Sequence, residues 1–369
     1  MKKNTMYLSI TLVILLIATI VFAGCTSSDS KTEITPAAIT TASATVPPAT
    51  QQPLKTLNVG YLPNNGATLI FVAKEQGFFA DQGLNVELSS FTNSADGTNA
   101  IIAKKIDIGG FGLAPLIFIS KGVNETIIGG QMGEGAAVFT TADKASQFKD
   151  LQSFKGKTVA TVRAASGDIH FRGALQDAGL DLKKDLTIQE LASPAAVVEA
   201  LKSGKVDAGV LWTPYTETAP NQGLVLLWYT DQYYPKHPCC RIAVLTENLN
   251  TNRDTFVNYE KALIRAYKFT KSNPDETLTA VAKYVQINQT DLSNAINSPH
   301  FYISPDPNTR AIEKTYSLMK SIGYINTTVN IDDHVDSTVY KQALDELAQQ
   351  SPNDPVYQQL LVDYQTQNG

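Results

Sequence analysis

The sequence predicts a two-lobed α/β protein, each lobe a mostly parallel sheet flanked by helices, with a cleft between the lobes. Three observations carry this expectation. Strand-like and helix-like segments alternate twice along the chain, the pattern of parallel α/β units. The two series end on matching segments, "KKIDIGG" and "GKVDAGV". The chain from Leu54 to Gly369 is also too long for one ordinary core and suits two.

The elements justify themselves in order. "LKTLNVGYLP" reads as a strand and "TLIFVAKEQGFF" as a helix, with Gly77 tolerated near its end. A turn at Gly83 leads to the strand "LNVEL", the helical "ADGTNAIIAKK" and the strand "IDIGGFG". The second series runs through the strand "GKTVATVR", the helix "DIHFRGALQDAGL", the strand "LTIQEL", the helix "SPAAVVEALKSG" and the strand "VDAGVLW". "GGQMGEGAAVFTTAD" is expected to cross outward to the second lobe and "RIAVLT" to cross back. The remaining segments "NRDTFVNYEKALIRAYKFTKSN", "PDETLTAVAKYVQ" and "DPNTRAIEKTYSLMKSIGYI" space apolar residues by three and four, as helices do. The expected division is 54–137 and 243–369 for the first lobe and 138–242 for the second.

The N-terminus is of another kind. Lys2 and Lys3 precede the apolar run "YLSITLVILLIATIVFAGC", a basic and then an apolar region as in a secretory signal peptide. An uncleaved anchor is the competing reading, although the run is short of the about 20 apolar residues that a spanning helix needs. Ala23-Gly24-Cys25 resembles a prokaryotic lipobox, with Phe22 where Leu is usual. That resemblance implies a signal peptide over 1–24, lipidation of Cys25 and attachment to a membrane outside the cytoplasm. Residues 25–53 are rich in Ser, Thr, Ala and Pro without hydrophobic periodicity, so they are expected to form a flexible tether. "NET", "NQT" and "NTT" at Asn124, Asn288 and Asn326 are glycosylation sequons, which arise often by chance.

Composition narrows the function classes. The net charge is −5, becoming −7 once Lys2 and Lys3 are removed with a leader, and no basic stripe marks a nucleic-acid surface. A hydrophobic content of 43% with 18% charged residues is that of an ordinary globular body. HExxH, P-loop, GxSxG and CxxC motifs are all missing from the sequence.

Several of these segments together carry a resemblance. "VGYLP", "VAKEQGFFADQGLNVEL", "AIIAKKIDIGGFG", "FKGKTVAT", "ALQDAGLD", "VVEALKSGKVDAGVLWTPY" and "NIDDHVD" are similar, in order and spacing over roughly 54–345, to the substrate-binding proteins of ABC importers. The subgroup is the nitrate/sulfonate/taurine (NitT/TauT-like) one, which also holds binders of thiamine-pyrimidine precursors. The resemblance implies a type II periplasmic-binding-protein-like fold that closes on a small-molecule solute and delivers it to ABC permease transmembrane subunits. It implies no cofactor, no catalytic residue and a monomer. It favours a sulfonate- or nitrate-like anion or a related small organic acid as ligand, with a pyrimidine-type heterocycle as the alternative.

Ligands of open α/β sheets lie outside the carboxyl ends of the strands. That rule selects Asn64, Asn65 and Thr68 after the first strand, and Gly112, Leu113 and Ala114 after "IDIGGF", where free helix N–H groups can hold an anion. It also selects Thr140 in the crossing, Ser166, Gly167, Asp168 and His170 in "RAASGDIHF", and Trp212, Tyr215 and Glu217 in "LWTPYTE". Bland readings stand beside these. Asn64 and Asn65 suit a turn, Asp168 is placed like a helix N-cap, His170 suits a solvated helix face, and Trp212 suits core. Arg163 either supplies positive charge to an acidic ligand or faces solvent.

His237, Cys239 and Cys240 in "KHPCCR" complete the candidate set. The two thiols are open to three readings. They are small buried hydrophobes, a strained vicinal disulfide, or a soft metal site with His237 as partner. Beside the receptor stand two other readings: a same-fold enzyme using His237, Cys239 and Cys240, and a membrane-tethered sensor without transport, which predicts a closed cleft with no ligand. Export and a lipid anchor favour the receptor.

Overall fold

The computed structural model describes residues 53–369; the signal, lipidation (Cys25) and most of the tether readings lie outside the described residues. In chain order, β1 (Lys55–Tyr61), α1 (Thr68–Glu75), α2 (Phe78–Asp81), β2 (Leu84–Ser90), α3 (Ser94–Ile102), β3 (Ile108–Phe111), α4 (Ala114–Ser120) and β4 (Glu125–Gly130) come first. The short β5 (Met132–Glu134) leads into β6 (Ala136–Thr141), β7 (Thr158–Val162), α5 (Ser166–Asp177), β8 (Thr187–Leu191), α6 (Pro194–Lys202), β9 (Ala208–Trp212), α7 (Tyr215–Thr218) and β10 (Leu224–Tyr229). Then follow β11 (Arg241–Leu245), α8 (Thr246–Ser272), α9 (Pro274–Ala282), α10 (Gln289–Ile296), β12 (Phe301–Ile303), α11 (Thr309–Ser321), α12 (Ser337–Gln350) and α13 (Pro355–Asn368).

The strands form two five-stranded sheets, ordered β2-β1-β3-β11-β4 and β8-β7-β9-β6-β10, and β5 pairs with β12 in a small third sheet. In each large sheet the fourth strand alone runs antiparallel, and in each it is a strand that the chain contributes on crossing between lobes. The expected limits at 137/138 and 242/243 cut within β6 and β11, whereas the chain passes between the two large sheets through 131–135 and 230–240.

The repeated "IDIGG" and "VDAGV" segments do the same job in both lobes. Asp107 accepts the Asn58 N–H at 2.8 Å and Asp207 accepts the Thr158 N–H at 2.9 Å, each tying the third strand of a unit to the first. Asn93 and Ser193 cap the equivalent helices α3 and α6, accepting from Asp96 N–H and Ala196 N–H. Gly77 does not continue the first helix. Its φ of 73° separates α1 from α2, a conformation that glycine adopts without a Cβ penalty. The long helix begins earlier than its apolar spacing suggests, at Thr246, and bends where Asn252 leaves helical geometry.

The core of the first lobe lies between its sheet and α1, α8 and α12, with Phe79 stacked on Tyr259. Both faces of the second sheet are covered, one by α6 and the other by α5 and the Phe148–Phe154 segment. Among the described residues no helix is long and apolar enough to cross a membrane.

Candidate functional site

The carboxyl ends of the parallel strands β1, β3, β7 and β9 turn toward one another across the lobe boundary. The loops that follow them, 62–67, 112–113, 163–165 and 213–214, touch directly. Thr213 donates from Oγ1 to Asn65 Oδ1 at 2.6 Å, and Asn65 donates from Nδ2 to the Ala295 carbonyl at 3.1 Å. Leu113 N–H donates to the Ala164 carbonyl at 3.2 Å. Gly112 is obligatory at this approach, since a Cβ there would lie 2.7 Å from Ser94 Oγ and 3.3 Å from the Ala164 carbonyl oxygen. Ser94 itself accepts the Gly112 N–H at 3.0 Å.

On the first lobe the structure brings together Asn64, Asn65, Thr68, Gly112, Leu113 and Ala114, all buried. Asn64 accepts the Gly66 N–H at 2.9 Å and Thr68 donates to the Asn65 carbonyl at 2.6 Å, so the turn and the contact across the boundary are the same feature. On the second lobe Ser166 and Gly167 open α5, and Trp212, Tyr215 and Glu217 surround Thr213. Glu217 Oε2 accepts from Thr216 at 2.6 Å, and burial raises its pKa against the pull of the Thr216 and Thr213 hydroxyls.

Asp168 is not an N-cap. Ala165 occupies that position without a side-chain bond, and Asp168 sits inside the first turn with its carboxylate fully buried. Arg172 donates to Oδ1 at 2.7 Å and the Tyr324 hydroxyl to Oδ2 at 2.8 Å, while burial still raises the acid's pKa. Tyr324 follows α11 and packs with the first lobe's residues, so this is a second bridge between lobes. Its oxygen also accepts the Ala164 N–H at 2.7 Å, and the Arg163 and Arg172 guanidinium groups lie over its ring. Ala164 has φ 70°, unusual for a residue with a Cβ, and the first lobe holds it from both its N–H and its carbonyl. Arg163 also pairs with Glu190 at 2.8 Å.

Thr140 lies at the wrong end. β6 runs antiparallel, so its last residues meet the amino end of β9, and Thr140 donates to the Asp207 carbonyl at 2.6 Å. The rule that selects carboxyl ends applies to the parallel strands only. His170 is buried rather than solvated, bonded through Nδ1 to the Ser166 carbonyl at 2.8 Å and stacked 3.9 Å from the His237 ring. Burial drives its pKa well down, and that of His237 to about 4, so both are neutral. His237 faces Thr230 Oγ1 at 2.9 Å and the Pro238 carbonyl at 3.2 Å, which removes it as a metal partner for the thiols.

Cys239 and Cys240 are free thiols buried against Met132 and Phe301, with their Sγ atoms 3.6 Å apart. The Cys240 thiol, aided by Ser166 and Arg241, pulls Cys239 below the usual thiol range, and Cys240 is pushed up in turn. Arg241 is buried and donates through Nη1 to the Met132 and Cys240 carbonyls, both at 2.9 Å. Sequence reasoning passed over Arg241, although a cation opening the apolar "RIAVL" was a signal. Thr213 stood within a quoted motif, but nothing in the sequence pointed to Tyr324.

Comparison with known proteins gives a consistent picture. A protein of Brucella abortus named as a binding protein is 25% identical over 244 residues, covering 64% of this chain and 73% of that protein. The nitrate import ATP-binding protein NrtC of Synechococcus elongatus is 26% identical over 243 residues, a match that takes in 35% of its length. The alkanesulfonate-binding protein SsuA of Xanthomonas axonopodis, bound to MOPS, superposes with a TM-score of 0.67 at 17% identity, covering 77% of this chain and 99% of SsuA. The periplasmic nitrate-binding protein NrtA of Synechocystis superposes with a TM-score of 0.69 at 16% identity, covering 82% of this chain and 92% of NrtA. The fold is therefore the two-lobed periplasmic-binding-protein fold, and with the model of the NMT1-like family matching residues 50–286, the chain belongs to that family.

Proposed function

We propose that this protein is the extracytoplasmic solute-binding component of an ABC importer, lipidated at Cys25 and tethered by residues 25–53, that captures a small sulfonate- or nitrate-like anion between its lobes. It passes the solute to the permease and performs no reaction. The observation that carries this reading is the pairing of strand-end loops from two like lobes, joined by Thr213 to Asn65 and by Leu113 to Ala164. Family membership and the nitrate and alkanesulfonate relatives support it.

The anion preference has a local argument. Arg172 and Tyr324 occupy the Asp168 carboxylate, so it does not compete for the positive end of α5. The Ser166 and Gly167 N–H groups belong to the first turn at that end, while the Ser166 side chain is bonded to Cys239. A flat heterocycle is the second reading, favoured by the part-exposed Trp212 and Tyr215 beside them. Native mass spectrometry of the protein before and after denaturation, followed by thermal-shift titration with nitrate, taurine, an alkanesulfonate and an aminopyrimidine, tests both. A solute at a hundred times its Kd adds about 2.7 kcal/mol of stability. Stabilisation by an anion supports the first reading and by the pyrimidine alone the second. No shift with any solute, and no released molecule, sinks the receptor reading.

A further inference from the structure

A cavity of about 780 Å³ lies against the crossing segments, and the strand-end loops contribute nothing to its lining among the described residues. Cavities that enclose small ligands run to about 300–1,000 Å³. Its walls come from Glu134 on the outward crossing, Asp231 and Lys236 on the return, and parts of α8, α9, α10, β12 and α13. Tyr267, Leu278, Ile296, Phe301 and Ile303 give those walls apolar surface.

The charged groups of the lining sort by depth. Lys236, Lys271 and Asp275 are exposed, whereas Asp231 and Asp363 are partly buried and Glu134 is buried. Every charge withdrawn from solvent on this lining is therefore a carboxylate. His300 Nδ1 occupies one Asp231 oxygen at 2.7 Å. Glu134 is only 8% exposed and has no such partner. Its Oε1 accepts the Lys236 N–H, its Oε2 meets no donor among the described residues, and burial raises its pKa against that single bond. A buried carboxylate in that condition lacks a cation. The buried Arg241 guanidinium behind Tyr302 does not supply one, because Asp306 faces it. The aromatic wall suits a cation as well, since Lys271 Nζ already lies 4.5 Å from the Tyr267 ring centroid.

We propose that this cavity binds a small organic cation, a primary ammonium on a short apolar body, with the ammonium donating to Glu134 Oε2. The body then lies against Leu278, Ile296 and Phe301. A neutral or anionic molecule of the same shape leaves the Glu134 carboxylate unanswered. The site is separate from the strand-end loops. Glu134 and Lys236 nonetheless belong to the two crossings and are bonded to each other, so an occupant bears on both segments that link the lobes.

Calorimetric titration of the full chain with phenethylammonium tests the site, with 2-phenylethanol as the neutral match. One saturable site is expected, and the alcohol should bind at least about tenfold more weakly. Glu134→Gln keeps an acceptor for the Lys236 N–H and should weaken the ammonium at least about tenfold, with little effect on the alcohol. Asn297→Trp, at an exposed lining position, fills the cavity and should weaken both; it carries the test if Glu134→Gln fails to fold. Gly112→Ala, in the strand-end loops, should leave the ammonium affinity unchanged. Equal affinity for ammonium and alcohol, unchanged binding by Glu134→Gln or Asn297→Trp, loss of binding in Gly112→Ala, or no saturable binding at all would each overturn the site.

Discussion

Replacing Tyr324 by Phe removes one oxygen and keeps the ring that the Arg163 and Arg172 guanidinium groups cover. The loss falls on two buried groups. Ala164 N–H loses its acceptor, and Asp168 Oδ2 loses its donor while Oδ1 keeps Arg172. A hydrogen bond to a charged group contributes about 1.5–3 kcal/mol and a neutral one about 1 kcal/mol, so the pair amounts to about 2–4 kcal/mol. Where that loss appears is informative. If the bridge forms in every folded molecule, urea unfolding followed by circular dichroism shifts to a lower midpoint at constant slope. If it forms only when the lobes close, stability holds and the affinity for the solute falls about 30-fold or more. The double variant with Asp168→Asn should reveal a coupling of about 1–3 kcal/mol. A change below about 0.5 kcal/mol in both stability and affinity, with no coupling, would refute the bridge as a contributor.

Three further outcomes follow from the geometry. Gly112→Ala places a methyl group against buried Ser94 Oγ and the Ala164 carbonyl, so the unfolding midpoint should fall and solute affinity should drop at least tenfold by calorimetry. Glu125 is wholly buried with neither carboxyl oxygen bonded, and burial lifts its pKa from 4.5 to about 8. Between those values the unfolded chain has lost the proton that the folded protein keeps. Stability is therefore full below 4.5 and falls as pH rises toward 8, by about 1.4 kcal/mol per unit at most. Glu125→Gln should flatten that slope in urea titrations at pH 5 and pH 8. His237 carries the opposite sign, because its folded pKa of about 4 lies below the ordinary 6.5. The unfolded chain takes up a proton first as pH falls through 6.5, so stability is lost on the acid side, and His237→Gln should reduce that loss in the same assay.

The fold was legible because each lobe states its pattern locally. Alternating strands and helices, capped by Asn93 and Ser193 and closed by Asp107 and Asp207, need only neighbours within about fifty residues. The strand-end rule likewise picked out Asn65 and Gly112, which the fold brings against the other lobe. It failed at Thr140, because strand direction is a property of the sheet and "AAVFTT" reads the same in either sense. It failed on Asp168 for a related reason. A short acid at a helix start reads as a cap, and only the fold shows Arg172 one turn on and Tyr324 arriving from far along the chain. Cysteines and histidine within four residues suggest one cluster. The backbone divides them, turning His237 toward His170 and the thiols toward Met132.

The two sheets make the same point about the crossing segments. Each takes its antiparallel fourth strand from a segment passing between lobes, so each sheet is completed by one of the two crossings. A segment in that position has conflicting duties: it must pair within a rigid sheet and allow the lobes to move relative to one another. Rigidity is met by β6 and β11, whose residues are almost all buried. What remains for movement is the short run on either side, Met132 to Gly135 outward and His237 to Cys240 on return, and these runs are held to each other. Cys239 N–H reaches the Met132 carbonyl, Glu134 N–H reaches the His237 carbonyl at 3.1 Å, and Arg241 reaches back to Met132. The runs are therefore tied to each other, and Met132 also packs against Gly66 of the first strand-end loop, so the crossings and that loop are in direct contact. The paired thiols sit where these contacts meet, with the Ser166 side chain at the start of α5 bonded to Cys239.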